Sequence, residues 1–264
     1  MSNFLSKEEL KISNEFKKKG YVIRKIKDTK SLSKIRKLFV KSIKKNIQKK
    51  IKFKKEEDIF NFIHKKIETN RLNSFRLKII NDINKSKNIR ELYYKISRPV
   101  LDVILGNELA MQLRINLSIQ LPNDKSSLLP IHSDTWSGDS PFETVVWIPM
   151  VNCYKSKSMY IIKPEKIKLV NSLIKKNMST DKLFLNIKKY VNWINIKYGQ
   201  VLIFNQNLPH GNIVNEEKET RWSFNCRFKS LFSPYGDKKL GEFFEPIEIK
   251  PASKIGMIYK YPKV

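Results

Sequence analysis

The chain has 264 residues, a mass of 31.2 kDa and a formal net charge of +28, and 41% of its residues are hydrophobic. These values are typical of a folded globular protein, exclude a disordered or fibrous one, and leave no apolar run of the roughly 18 residues that a membrane-spanning helix needs. The two cysteines do not make a disulfide framework, and the N-terminal residues lack the apolar core of a secretory signal, so we expect a cytoplasmic protein.

The first part of the chain, residues 1–105, is predicted to be a mostly helical layer. Ser6 followed by Glu9 has the spacing of a capping box and starts a short helix over 5–18. A short strand over 20–26 comes next. Apolar residues at helical spacing then predict four amphipathic helices, over 31–48 with Ser31 as its N-cap, 56–68, 73–84, and 87–105 with an interruption near Pro99.

The hydrophobic period changes to that of β-strands in residues 106–231. Apolar and polar side chains alternate over 111–121, which is typical of a strand with one polar face. Further strands are predicted over 143–151, 156–162, 193–197, 200–205 and 221–231, with a lysine-rich helical insertion over 164–190. Strands separated by turns indicate a barrel or sandwich, so residues 1–264 are expected to form one domain with an extended tail at 232–264.

A metal-ligand pattern involves two of the three histidines. His132 and Asp134 form a His-x-Asp pair, and residues i and i+2 of an extended segment point the same way, so both can reach one metal ion. His210 follows the apolar strand over 200–205. Two imidazoles and a carboxylate on one face of an octahedron form the facial triad of non-haem Fe(II) oxygenases, which leaves three positions open. A His-x-Asp pair also arises by chance, and a lone buried histidine is more often a core residue.

A second motif, Arg221-x-Ser223, lies eleven residues after His210. A bidentate 2-oxo acid and O2 suit the open metal positions. The far carboxylate of 2-oxoglutarate then needs a planar, always-charged donor, which an arginine supplies, and a nearby hydroxyl adds a further hydrogen bond. The polar stretch over 215–220 is predicted to be a hairpin turn that brings Arg221 within about 10 Å of His210.

The positive charge is unevenly distributed along the chain. Residues 1–100 carry a net +20 and residues 155–264 a net +12, whereas residues 101–154, which contain His132 and Asp134, carry a net −4. An enzyme acting on nucleic acid is expected to be basic around its chemistry, so this distribution does not favour a nucleic-acid partner. Lysine supplies 44 of the 53 basic residues, a bias that an AT-rich genome also explains.

With these motifs the chain resembles the Fe(II)/2-oxoglutarate-dependent dioxygenases of the phytanoyl-CoA hydroxylase-like superfamily. The likeness begins at Gly20-Tyr21-Val22 and runs through HSD at 132–134, VVWIPM at 145–150 and the arginine motif at 221–223. The strings HSDTWSGDSPFE, NCYKSKSMYI and RWSFNCRFKSLFSPY are similar to oxygenases of bacterial surface-carbohydrate biosynthesis clusters. The resemblance implies an α+β fold with a double-stranded β-helix core (jelly-roll, cupin-like) and an N-terminal helical layer.

The resemblance also implies roles for residues at the matching positions. His132, Asp134 and His210 match the iron ligands, and Arg221 matches the 2-oxoglutarate anchor with Ser223 as its helper. Polar residues of the first core strand are expected to contact the cosubstrate or the substrate: Asn116, Ser118 and Gln120, with Gln120 assigned to the cosubstrate and Asn116 to the substrate.

Other residues have more than one interpretation. Trp136, Ser137 and Asp139 follow the ligand pair and are either substrate contacts or an ordinary polar loop. Arg227 shares a strand face with Arg221, and it binds the substrate, replaces Arg221 as the anchor, or pairs with an acid. Three further residues are expected to lie outside the site, Cys153 and Cys226 in the core and His64 in solvent.

The predicted reaction is the oxidative decarboxylation of 2-oxoglutarate to succinate and CO2, coupled to oxidation of a C–H bond, with Fe(II), 2-oxoglutarate and O2 required. Because related halogenases carry Ala or Gly at the carboxylate position, Asp134 favours hydroxylation, desaturation or epimerisation. The resemblance implies a small-molecule substrate, either a sugar or a nucleotide-sugar. Three alternatives stay open: a nucleic-acid or protein oxygenase, a non-catalytic cupin-like carbohydrate-binding protein, and a cupin-like isomerase.

Overall fold

The computed structural model describes residues 4–47, 53, 55–173 and 179–262. Its N-terminal helices are α1 (Lys7–Lys19), α2 (Thr29–Asn46), α3 (Glu56–Asn61), α4 (Thr69–Asn84) and α5 (Ile89–Leu105). The capping box of α1 is confirmed, since the Ser6 hydroxyl accepts from the Glu9 amide and the Glu9 carboxylate accepts from the Ser6 amide. None of the described helices is long and apolar enough to cross a membrane.

Three helix predictions need correction. Helix α2 begins before Ser31, because Asp28 caps it and accepts from both the amide and the hydroxyl of Ser31. The helix predicted over 56–68 ends at Asn61 and is followed by a 3-10 turn over Ile63–Lys65. Helix α5 continues through Pro99. The proline has no N–H to donate to the carbonyl of Lys95, and both residues lie on the exposed side of the helix.

Ten strands form two antiparallel sheets in the described part of the chain. They are β1 (Tyr21–Lys25), β2 (Leu109–Gln112), β3 (Asn116–Gln120), β4 (Glu143–Pro149), β5 (Tyr160–Ile162), β6 (Val191–Trp193), β7 (Gln200–Asn205), β8 (His210–Gly211), β9 (Arg221–Ser230) and β10 (Phe244–Glu248). The large sheet has the order β1-β7-β4-β9-β2-β10, with β3 also paired to β9, and the small sheet has the order β6-β5-β8. The fold is therefore a mixture of helices and antiparallel sheet, as expected.

The strand predicted over 111–121 is two strands, β2 and β3, that pair with successive parts of β9. The chain leaves the ladder between them because the side-chain amide of Asn84, from α4, bonds both the N–H and the C=O of Ile115. In addition, the side-chain oxygen of Gln112 accepts from the Arg227 amide. A contact from a distant helix therefore breaks an otherwise regular alternation.

The predicted hairpin between His210 and Arg221 is wrong. His210 pairs with Ile161 in the small sheet, whereas Arg221 pairs with Gln120 in the large sheet, so the chain crosses from one sheet to the other. The Asn215 side chain holds this crossing by donating to the carbonyls of Gln120 and Glu219.

The insertion is helical where the structure describes it, and the tail contains regular elements. Within the insertion the structure describes α6 (Ile167–Leu173) and α7 (Thr180–Ile187), in line with the predicted helical segment. The tail is not simply extended, since β10 pairs with β2 and is followed by α8 (Pro251–Ile258), which proline starts at its first position.

The helices pack on the apolar face of β9. Trp222 meets Phe60 and Phe75 edge-on at ring-centroid distances of 5.4 and 6.2 Å, and Phe224 lies 5.2 Å from Tyr93. Cys153 and Cys226 are buried and free, which confirms them as core residues. Because side chains alternate along a strand, this packing turns the polar residues of β9 towards the opposite face of the sheet.

Candidate metal centre

Two histidines and one aspartate come together at the β8 edge of the small sheet. His132 and His210 face each other across an isolated antiparallel bridge, in which the His132 amide donates to the His210 carbonyl at 2.9 Å and the His210 amide donates back at 2.8 Å. Asp134 begins a 3-10 turn just after this bridge. The ligand atoms of the three side chains lie within 4.8 Å of one another, and they form the one such cluster in the described residues.

The ring nitrogens of both histidines are oriented by backbone carbonyls. Nδ1 of His132 lies 2.8 Å from the Pro130 carbonyl, and Nδ1 of His210 lies 2.9 Å from the Leu208 carbonyl. A carbonyl only accepts, so each Nδ1 carries the hydrogen and each Nε2 keeps its lone pair for a metal. Burial, together with the nearby His132, holds the pKa of His210 well below its usual range, so that this imidazole is neutral at neutral pH.

Asp134 is held from two directions, by Gln206 in the turn after β7 and by Arg227 of β9. Its amide donates to the Gln206 carbonyl at 3.2 Å, and its carboxylate pairs with Arg227 at 3.0 Å. The Gln206 side chain in turn accepts from Nε of Arg227 at 3.2 Å. Of the three interpretations of Arg227, the geometry fits pairing with an acid, and it pairs with Asp139 as well.

A cavity of about 360 Å³ contains this cluster. Its walls bring together the three proposed ligands, both arginines of β9, polar residues of β3 and an apolar patch; they include His132, Asp134, His210, Arg221, Arg227, Asn116, Ser118, Asn225, Trp147 and Phe204. The volume lies in the range of small-molecule sites. Residues that are about a hundred positions apart in the sequence thus line one cavity.

Arg221 is a buried cation without a carboxylate partner among the described residues. It is 3% exposed, and it donates to the Ser158 carbonyl at 3.2 Å and to the Ser118 hydroxyl at 2.9 Å. Burial lowers its pKa to about 10, which still leaves it charged at neutral pH. Its Nε and the Ser223 hydroxyl are both buried and have no hydrogen-bond partner. Buried polar atoms are rarely left unpaired in a folded protein, so this group of donors marks a place for an anion.

Cross-strand register explains why these groups meet. Gln120 lies opposite Arg221, Ser118 opposite Ser223, and Asn116 opposite Asn225 on the same face of the β3–β9 ladder. Gln120 donates its amide to the Ile213 carbonyl and leaves an acceptor oxygen free. The contact of Gln120 with the cosubstrate stays a prediction.

Five predicted side chains lie outside the described cavity walls: Gln120, Ser223, Trp136, Ser137 and Asp139. Trp136 is 47% exposed, and the buried Asp139 carboxylate is paired with Lys238 and Arg227. His64 is not simply solvated, since its Nδ1 lies 2.9 Å from the Thr220 hydroxyl.

Sequence reasoning missed two residues of this region. Gln206 carries the contacts that hold Asp134 and Arg227, and Arg76 of α4 lines the cavity. Neither belongs to a motif or to a periodic pattern that links it to the histidines. The packing of α4 against β3 places Arg76, and the hydrogen bond from the Asp134 amide to the Gln206 carbonyl just after β7 places Gln206.

No family model and no curated protein sequence matches the chain. Solved structures do match, among them AviO1 from Streptomyces viridochromogenes Tue57, with a TM-score of 0.56, 11% identity, and coverage of 88% of this chain and 99% of that one. A nickel complex of the non-heme monooxygenase ThoJ has a TM-score of 0.54, 12% identity, and coverage of 92% and 85%. SnoK, a non-heme alpha-ketoglutarate-dependent carbocyclase from nogalamycin biosynthesis, has a TM-score of 0.53, 13% identity, and coverage of 93% and 97%. At these identities the similarity shows a shared fold.

Proposed function

We propose that the chain is an Fe(II)- and 2-oxoglutarate-dependent dioxygenase with a double-stranded β-helix core, which oxidises a C–H bond of a small-molecule substrate. The observation that carries the proposal is the joint presence, in one cavity, of the His132–Asp134–His210 cluster and the unpaired buried cation of Arg221. A cation buried without a counter-ion is costly unless an anionic ligand completes it.

The donor set fits Fe(II). Two neutral imidazole Nε2 atoms and one carboxylate are the ligands of the facial triad, and the carbonyls that bind each Nδ1–H hold both rings in the required tautomer. Arg227 neutralises part of the Asp134 charge and fixes the orientation of its carboxylate. When bound, the iron would supply activation of O2 coupled to oxidative decarboxylation of 2-oxoglutarate.

The anion site fits the far carboxylate of 2-oxoglutarate. Arg221 offers its unpaired Nε and the remaining hydrogens of its two amino groups to a ligand in the cavity. Ser223 has an unpaired buried hydroxyl on the same strand but lies outside the cavity walls, so its part as helper stays a prediction. Val145, Trp147 and Phe204 form an apolar wall of the same cavity. An apolar wall excludes water and strengthens the charge-assisted hydrogen bonds of the arginine.

The substrate is proposed to be a sugar or a sugar-linked intermediate of surface polysaccharide biosynthesis. Support comes from the sequence resemblance and from amide side chains in the cavity, where Asn116 donates to Asn225 at 3.1 Å and both keep further hydrogen-bonding capacity. The carboxylate at position 134 supports hydroxylation, desaturation or epimerisation over halogenation. Substrate contacts by Trp136 and Asp139 remain predictions.

Anaerobic titration with Fe(II) in the presence of 2-oxoglutarate tests the metal centre. We expect a weak metal-to-ligand absorption band that is lost in His132→Ala and kept in His64→Ala, the matched histidine control outside the cluster. Absence of the band, or its survival in His132→Ala, refutes the proposal. Succinate formation under O2 separates a dioxygenase from a carbohydrate-binding protein and from an isomerase, since neither of these consumes oxygen.

A further inference from the structure

The metal cavity does not end at its own walls. Leu128 and Asn212 belong both to the cavity and to an adjoining depression of about 530 Å³. This depression shares Phe184, Ile213 and Glu216 with a wider groove of about 1050 Å³. We call the depression and the groove together the lateral groove. Asn212 lies two residues after His210, so the lateral groove begins directly beside a proposed iron ligand.

Aromatic side chains form much of the lateral groove. The ring of Tyr160 lies 5.5 Å from that of Trp193 and 5.4 Å from that of Phe184, and Tyr154 adds a fourth ring to the wider part. Trp193 and Phe184 are half-buried, so part of each ring faces the groove. Partly exposed rings beside polar groups suit ligands that have both apolar C–H faces and hydroxyls.

The polar residues of the lateral groove carry both signs of charge. Three lysines, two glutamates and two asparagines line its wider part: Lys155, Lys188, Lys197, Glu216, Glu217, Asn152 and Asn195. A polyanion such as nucleic acid requires one sign of charge along its track. Mixed charges and amides instead match the alternating donors and acceptors of a polyhydroxylated chain.

We infer that the lateral groove binds the distal sugar residues of an oligosaccharide whose reacting residue lies in the metal cavity. This inference rests on the proposed function for the identity of the reacting end. The 360 Å³ of the metal cavity must hold 2-oxoglutarate as well as the reacting group, so a longer substrate has to leave through an open side. The lateral groove adjoins the metal cavity at Leu128 and Asn212, which line both, so it is the space that such a substrate reaches on this side.

Binding to defined saccharides tests the inference without turnover. The metal-free protein is applied to an array of neutral and acidic mono- to hexasaccharides, and affinities for the best hexasaccharide and its monosaccharide are measured by calorimetry. We expect the hexasaccharide to bind at least about tenfold more tightly, and Trp193→Ala to remove about tenfold of that affinity. Phe232→Ala, an exposed aromatic outside the groove, is the control and should have no effect.

Because Trp193 packs against Tyr160, Trp193→Ala also changes core packing. A second variant separates this effect from the loss of groove contacts. Asn195 is exposed and lines the groove, so Asn195→Trp fills it without disturbing the core, and it should weaken hexasaccharide binding by a similar factor. The inference is overturned if affinity does not depend on chain length, if both groove variants bind the hexasaccharide as tightly as the parent protein, or if a peptide or nucleic-acid probe is preferred. The Fe(II) titration on the same variants keeps the two proposals apart, since the metal centre can stand while the groove prediction fails.

Discussion

Replacing Arg221 tests whether its side chain binds a ligand or stabilises the fold. In Arg221→Met the cavity loses a buried guanidinium that has two protein acceptors and no carboxylate partner among the residues that the structure describes. Removing one member of a buried charge pair costs about 3 kcal/mol, so the Kd for 2-oxoglutarate should rise about 150-fold. Arg221→Lys keeps the charge but not the planar fork, and it should lose about tenfold.

The stability of the ligand-free protein should respond differently. Loss of the hydrogen bonds to Ser158 and Ser118 costs about 1 kcal/mol each, but the variant no longer buries an uncompensated charge. The two effects oppose each other, so the free energy of unfolding should change by less than about 1 kcal/mol.

Calorimetry with 2-oxoglutarate on protein loaded with Mn(II), and urea unfolding without ligand, measure the two quantities. Arg114→Met is the matched control, since Arg114 is an exposed arginine that donates to Asn81 outside the cavity. The reasoning is refuted if Arg221→Met loses several kcal/mol of stability while its affinity for 2-oxoglutarate equals that of the parent. That outcome would show that the guanidinium stabilises the fold and does not bind 2-oxoglutarate.

Three further predictions follow from buried residues, namely Gln206, Lys229 and Gly211. Gln206→Leu removes the acceptor that orients Arg227, the ion-pair partner of the proposed metal ligand Asp134, so Fe(II) affinity should fall about 10- to 100-fold by calorimetry; an unchanged affinity would show that this contact does not support metal binding. Burial lowers the pKa of Lys229 to about 8 from its usual 10.5, so the unfolded chain binds more protons between these values and the free energy of unfolding should rise with pH there. Urea unfolding at about pH 7.5 and about pH 9.5 checks this, and a rise of equal size in Lys229→Met would contradict it. Gly211→Ala should cost about 1–3 kcal/mol by thermal unfolding, because its Cβ would lie 2.7 Å from the Tyr160 hydroxyl and 2.9 Å from a carbonyl oxygen, whereas Gly256→Ala in open space should cost nothing.

Local patterns predicted the elements whose partners are close in sequence or whose period is regular. The capping box at Ser6 and the alternation of β9 both appear in the structure, because each depends on residues a few positions apart. Alternation also put Arg221 and Arg227 on one face of β9, and both line the cavity.

Long-range contacts determine the features that local patterns did not predict. Asn84 on α4 interrupts the strand predicted over 111–121, and no feature of that segment announces the interruption. The crossing between sheets after His210 depends on which strands find partners, so a polar stretch that looks like a turn is a connection instead. Gln206 was missed because its role comes from what it contacts in space.

The reciprocal bridge between His132 and His210 means that both imidazoles are already side by side before any ion arrives. A metal held there would join residues 132 and 210 and would act as a reversible cross-link that closes the chain segment between them. Strand β8 is two residues long, and its strand pairing is limited to β5 on one side and the bridge at His132 on the other. Occupancy of the site would thus protect the small sheet against local opening, and amide exchange in β5 and β8 would report iron loading before any substrate is known.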